Sequence, residues 1–145
     1  MLKRFLFPVK PDGTAESAIL LVARVVFGIL LMTHGMAKLS NFHEMSTAFP
    51  DPLGVGSAVS LGLAIFGELF CSMAFIIGFL YRLAMIPMMF TMFVAYFVIH
   101  ANDPFSTKEL AFVYLVVFVL MYIMGPGKFS IDRWIGKLLS RKALK

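Results

Sequence analysis

Gly78-Phe79-Leu80-Tyr81-Arg82 separates two long apolar runs, residues 55–80 and 82–101, that would otherwise be nearly continuous. Each run has the length of a membrane helix, since crossing a hydrocarbon core of ~30 Å takes roughly 20 helical residues. A glycine followed closely by an arginine suits a tight helix turn at a membrane surface, so the two runs form a transmembrane hairpin. Further apolar runs flank it at residues 18–39 and 107–125. The last is apolar only from Leu110 to Met124, which is short, and is extended back to Ser106 because Ser106-Thr107-Lys108-Glu109 has the pattern of a capping box. Gly125-Pro126-Gly127 stops it, and Ser130 can then cap a further helix over residues 130–142. That helix carries Ile131, Trp134, Ile135, Leu138 and Leu139 on one face, with Arg133, Lys137, Arg141 and Lys142 largely on the other side or at its margins. Such a pattern belongs to a helix lying against anionic lipid headgroups, and we prefer lipid anchoring to docking on a partner. The expected fold is all-α: an integral membrane four-helix bundle, one domain over residues 1–145, with a C-terminal amphipathic interfacial helix.

Composition supports the same class. Sixty per cent of the 145 residues are hydrophobic and only 14% are charged, with a mean hydropathy of +0.89. A soluble domain carries about a quarter charged residues. The net charge of +5 would suit nucleic acid in a polar chain, but in one this apolar it points to lipid. Cys71 is the single cysteine, which excludes an internal disulfide, a CxxC pair and a thiolate zinc site made by one chain. Pro8, Lys10, Pro11 and Asp12 interrupt the N-terminal stretch, and no cleavage site follows residues 18–39. This run therefore reads as a retained membrane helix rather than a signal peptide. Ten of the thirteen Lys and Arg residues fall on one side of a four-span layout: Lys3, Arg4, Lys10, Arg82, Lys128, Arg133, Lys137, Arg141, Lys142 and Lys145. The positive-inside rule then places both termini in the cytoplasm of a multi-pass inner-membrane protein.

Ionisable groups within apolar helices are expensive, about 2.5–3.5 kcal/mol each on insertion scales, so each needs a reason. Glu68 lies near the middle of the second run, and Ser60, Ala64, Glu68 and Ser72 form a small, polar stripe at i, i+4 spacing. Arg24, Gly28, Leu31, Gly35 and Lys38 share one face of the first run, with Gly28 and Gly35 available for close packing. Arg24 is the natural partner for Glu68. Arg82 competes for it but is favoured as a topology anchor, and a protonated Glu68 is the remaining alternative. His34, Lys38, His100 and Glu109 can gather at one depth near the outer surface, beside His43, Glu44 and Asp103. That group could bind a quinone headgroup or relay its protons. Interfacial solvation, with Glu109 as a capping residue, is the structural alternative. Axial haem ligation by His34 and His100 is disfavoured for want of any other haem signal. Pro87 kinks the third helix or lies in its first turn. The Met-rich stretch around residues 85–92 is packing material rather than a copper path.

Residues 24–39, running Arg24-Val-Val-Phe-Gly28 to His34-Gly35-Met-Ala-Lys38-Leu39, resemble the first-helix signature of the DoxX family of small bacterial membrane proteins. Glu68 with Gly78-Phe-Leu-Tyr-Arg82 is similar to its second-to-third helix hairpin, and Gly125-Pro126-Gly127-Lys-Phe-Ser130-Ile-Asp132 to its closing motif. The resemblance implies a four-helix inner-membrane protein, with Arg24, His34, Lys38, Glu68 and Arg82 as the positions that meet the pattern. It also implies a link to quinol oxidases, thiosulfate:quinone oxidoreductase or stress-responsive membrane oxidoreductase complexes. Quinone-using bundles that work through paired cysteines are excluded, because this chain lacks the pair.

Three functions remain open. In the leading one the chain is a quinone-linked accessory or subunit of a membrane oxidoreductase complex: it supplies a polar intramembrane pocket while a partner subunit holds the redox centre. Quinone is then the implied cofactor, no catalytic residue is assigned, and no metal site is expected. The second is a small carrier, channel or lipid-binding protein. The third is a structural scaffold whose polar groups fix helix register. A homo-oligomer is compatible with each.

Overall fold

The computed structural model describes residues 13–142, so Lys3, Arg4, Lys10 and Lys145 lie outside the described residues. Four helices are long and apolar enough to span a bilayer: α1 (Thr14–Ser40), α2 (Ser57–Ile77), α3 (Tyr81–Ile99) and α4 (Phe105–Met124). A single helical turn, Phe42–Met45, follows α1, and α5 (Ile131–Lys142) closes the described chain. No strand occurs among the described residues.

α1 starts earlier than its apolar run because Gly13 caps it, with Glu16 folding back to accept the Gly13 N–H at 3.1 Å. The polar first turn thus lies before the membrane stretch. The capping box expected at Ser106 does not form. α4 begins at Phe105 with Pro104 as its cap (φ −60°, ψ 153°), so Ser106 is already helical and cannot act as a cap. Ser130 does cap α5, its hydroxyl accepting the Arg133 N–H at 3.2 Å.

The α2–α3 turn is closed by Gly78, whose φ of 69° is left-handed. Its N–H donates to Phe75 O at 3.1 Å and the Phe79 N–H to Ala74 O at 2.9 Å, which is the Schellman arrangement. Leu80 is also left-handed (φ 44°), an uncommon conformation for a residue with a side chain. Pro87 sits inside α3, beyond the first turn, and its carbonyl accepts the Thr91 hydroxyl at 2.9 Å.

Two segments wind more loosely than an α-helix, as π turns at Phe66–Phe70 in α2 and Ala95–Ile99 in α3. The sequence reading did not anticipate either. The core is aromatic and Met-rich. Phe75 stacks on Tyr81 with ring centroids 5.4 Å apart, Phe118 meets Phe75 edge-on, and the Tyr81 hydroxyl donates to Met121 O at 3.0 Å. Met85, Met88 and Met92 are buried within this core. Ile19, Val22, Phe90, Phe97, Leu120 and Ile123 cover the outside, a surface suited to lipid and not to water.

Candidate functional site

The Gly28 and Gly35 face of α1 packs directly on α2. A methyl group at position 28 would strike Ile76, and one at position 35 would sit 2.8 Å from Leu69 N and 2.9 Å from Glu68 C. These contacts set an antiparallel register: seven residues along α1 match seven back along α2. Arg24 therefore lies level with Gly78, which its guanidinium touches. It is roughly ten residues, or about 15 Å, from the level of Glu68.

The expected Arg24–Glu68 pair is accordingly corrected. Glu68 pairs with Lys38, whose Nζ lies 2.6 Å from Oε2. Side chains on a helix tilt toward its N-terminus, so Lys38 in the last turn of α1 reaches back into the bundle. Glu68 sits in the middle of the Phe66–Phe70 π turn. Such turns recur at functional sites because they re-aim a side chain within a continuous helix. Gly67, beside it, brings α2 against the Pro87 and Thr91 turn of α3. Ser60, Glu68 and Ser72 are all buried, so the polar stripe of α2 faces inward as expected.

Tyr114 of α4 completes this centre. It is buried, lies within electrostatic range of Glu68, and packs edge-on against both His34 and Phe27 at 6.3 Å. Its hydroxyl, like Glu68 Oε1, makes no hydrogen bond to a described residue. The Lys38 side chain is 22% exposed, against 5% for Glu68, so the pair is accessible from the lysine side. A hydroxyl-bearing tyrosine midway along the apolar run of α4 was the signal that could have pointed to it.

The remaining outer candidates do not converge. His34 meets Tyr114, whereas His100 pairs with Asp103 (Nδ1 to Oδ2, 2.7 Å) beyond the π turn of α3. Glu109 is exposed. Lys108 instead donates to Ala101 O at 2.9 Å and covers the Tyr96 ring. Among the described residues no hydrogen bond or ion pair joins His34, Lys38, His100 and Glu109 to one another. No group of three or more His, Cys, Asp or Glu residues is placed to hold a metal ion among the described residues. Asp51, before α2, accepts from Ser60 Oγ at 2.7 Å, Gly56 N at 2.7 Å and Val55 N at 3.1 Å. The Ser60 hydroxyl above all, then the Gly56 N–H, holds its carboxyl below the ordinary value.

A second polar centre lies at the other end of the bundle. Asp132 is fully buried and accepts the Leu80 N–H on Oδ1 and the Tyr81 N–H on Oδ2, both at 2.8 Å. It thereby caps α3 from a distant part of the chain, and its own N–H returns to Gly78 O at 2.9 Å. Arg24, also fully buried, donates to Phe129 O and faces Asp132 electrostatically. Burial raises the Asp132 carboxyl above its ordinary value, opposed by the Tyr81 and Leu80 N–H groups and by the Arg24 charge. In the sequence Asp132 stands out only as part of the closing motif. Its signal was being the lone acid in a basic segment. Arg82, at the start of α3, lies over the Tyr122 ring at 5.7 Å, a position compatible with the anchor role.

Four apolar helices closed around a buried ion pair define a multi-pass protein embedded in a lipid bilayer. A sequence model of the DoxX family matches residues 19–101, which include Arg24, Lys38, Glu68 and Arg82. The chain is similar to inner membrane protein YqjF of Escherichia coli (strain K12), 32% identical over 127 residues that cover 84% of this chain and 95% of that one. It is also similar to an uncharacterized protein of Haemophilus influenzae, 25% identical over 142 residues covering 92% and 94% of the two chains. No solved structure matches it. The chain belongs to the DoxX family.

Proposed function

We propose that this chain is a quinone-linked accessory or subunit of an oxidoreductase complex in the bacterial inner membrane, with both termini cytoplasmic. Its own contribution is the Lys38–Glu68–Tyr114 site. The observation that carries this proposal is spare hydrogen-bonding capacity around a charge pair that is buried on the Glu68 side and open on the Lys38 side. Lys38 uses one N–H on Glu68, while Glu68 Oε1 and the Tyr114 hydroxyl bond to no described residue. One turn along α2 from Glu68, the Ser72 hydroxyl is buried without a hydrogen-bond partner among the described residues, and a buried polar atom in this state calls for a polar ligand or a water. A quinone carbonyl can accept from the Lys38 ammonium, and a quinol hydroxyl can donate to Glu68 Oε1. A bound quinol would give up two protons and two electrons on oxidation: Glu68 would accept one proton, the other would leave to solvent on the exposed Lys38 side, and the electrons would go to a redox group held by the partner subunit. The quinone class itself rests on what the DoxX resemblance implies.

Titrating a short-chain benzoquinone into the protein in lipid nanodiscs tests this. Saturable binding is expected, weakened at least about ten-fold in Glu68→Gln, the loss of a charged hydrogen bond. No saturable binding, or equal binding by the variant, refutes it. One observation favours a structural role instead: the pair closes at 2.6 Å between two tightly packed helices. A scaffold predicts that the exchanged pair Lys38→Glu/Glu68→Lys restores stability and leaves the function of the complex intact. A binding site predicts restored stability with lost quinone binding.

A further inference from the structure

α5 presents an apolar stripe that the rest of the chain does not cover. Ile131, Trp134, Leu138 and Leu139 are exposed along it, Trp134 at 64%. On the bundle side Asp132 and Arg133 are buried. Lys137 stands exposed beside the stripe, and the last turn continues with Arg141 and Lys142. The helix is held at its first turn: Asp132 bonds to Leu80 and Tyr81, and just ahead of it Phe129 O accepts from Arg24. Lys128 N bonds to Ser17 Oγ at 3.1 Å, a residue in the first turn of α1. Ser17, Leu80 and Tyr81 lie where spans end, and Arg24, deeper in α1, is level with the α2–α3 turn at Gly78, so α5 starts at the level of the lipid headgroups.

We propose that α5 is an anionic-phospholipid-binding helix, lying in the membrane interface with its Ile131–Trp134–Leu138 stripe in the acyl boundary and Lys137 among headgroup phosphates. Three features select the bilayer over a protein partner. The bilayer is already present at this level, because residues 125–130 are all that separate α5 from the last span. The exposed charge beside the stripe is basic, complementary to the anionic cytoplasmic leaflet in which the positive-inside rule puts this end. The segment's one acid, Asp132, is consumed inside the protein, so no exposed carboxylate opposes the lipid phosphates. A large apolar face beside basic residues is the pattern of helices that lie in the interface plane. Docking leaves the Lys38–Glu68 site untouched and anchors the basic end of the bundle through Asp132.

Trp134 is the only tryptophan in the chain, so its fluorescence reports on α5 alone. The full chain is reconstituted in phosphatidylcholine vesicles with and without phosphatidylglycerol, using lipids brominated at shallow or deep acyl positions. Expected is blue-shifted emission, quenched best by shallow bromines and stronger with phosphatidylglycerol at low salt. Lys137→Glu should lower the ratio of docked to undocked helix by at least about five-fold, because it removes one basic residue near an anionic surface and adds an acid there. Red, unquenched emission overturns the proposal. Quenching indifferent to phosphatidylglycerol, salt and Lys137→Glu removes the anionic-lipid assignment. Emission that follows the protein-to-lipid ratio but not the bromines assigns the stripe to a second copy and overturns it as well.

Discussion

Glu68 and Asp132 are both buried carboxylates, yet they are satisfied in opposite ways. Asp132 spends both oxygens on fixed backbone donors, the N–H groups of Leu80 and Tyr81. Glu68 spends one oxygen on a side chain that can move, the Lys38 ammonium, and keeps the other. A carboxylate saturated by backbone holds a turn in place. One paired with a flexible cation can exchange that cation for a ligand. Both centres hang on the same face of α1, through Arg24 and Lys38, about 21 Å apart along the helix. Under the proposed function, Asp132 is the architectural carboxylate and Glu68 the binding one, although Arg24 beside Asp132 also keeps two buried nitrogens, Nε and Nη1, without a hydrogen bond among the described residues.

The sharpest way to break that contrast is Asp132→Ala. It strips the Leu80 and Tyr81 N–H groups of their acceptor and removes a negative charge near Arg24, which should destabilise the protein by about 2–4 kcal/mol. Unfolding in detergent micelles measures this, and a loss below ~1 kcal/mol would place Asp132 outside the architecture. Next comes Gly35→Ala. The added methyl meets α2 backbone rather than a side chain end that could yield, so a loss of about 1–3 kcal/mol is expected. Gly62→Ala is the control. It meets nothing within 4 Å, and alanine for glycine in a helix should stabilise by up to ~1 kcal/mol.

Glu68→Gln should be milder in stability, about 1–2 kcal/mol, because the partly exposed Lys38 can turn outward once released. Binding, not folding, should carry its larger loss. If Glu68→Gln destabilises as much as Asp132→Ala, the two centres are alike and both are architectural. The smallest effect concerns Asp51. Its carboxyl is held below the ordinary value of 3.8 by Ser60 and the Gly56 N–H. Its stabilising effect is therefore complete above that value and lost as pH falls through its own lower one. An acid titration of thermal stability should show this step in the native chain and lose it in Asp51→Asn.

Span positions were legible because insertion of an apolar helix is a local property, readable in a window of about 20 residues. The same holds for the Gly28 and Gly35 face, since helical periodicity fixes which residues share a side. The α2–α3 turn was legible for a similar reason, with Gly78 supplying the left-handed cap. Ionic partners were not. Arg24 and Lys38 sit on the same face of α1 and carry the same charge, so no local rule chooses between them for Glu68. That choice belongs to the antiparallel register of α1 on α2, set where Gly35 meets the backbone of the π turn. Asp132 and Tyr114 escaped for the same cause, because their partners lie in segments distant along the chain. Local sequence thus established a four-span membrane chain with a basic end. Long-range packing alone assigned each buried charge its partner, because pairing depends on distances between helices that no single helix encodes.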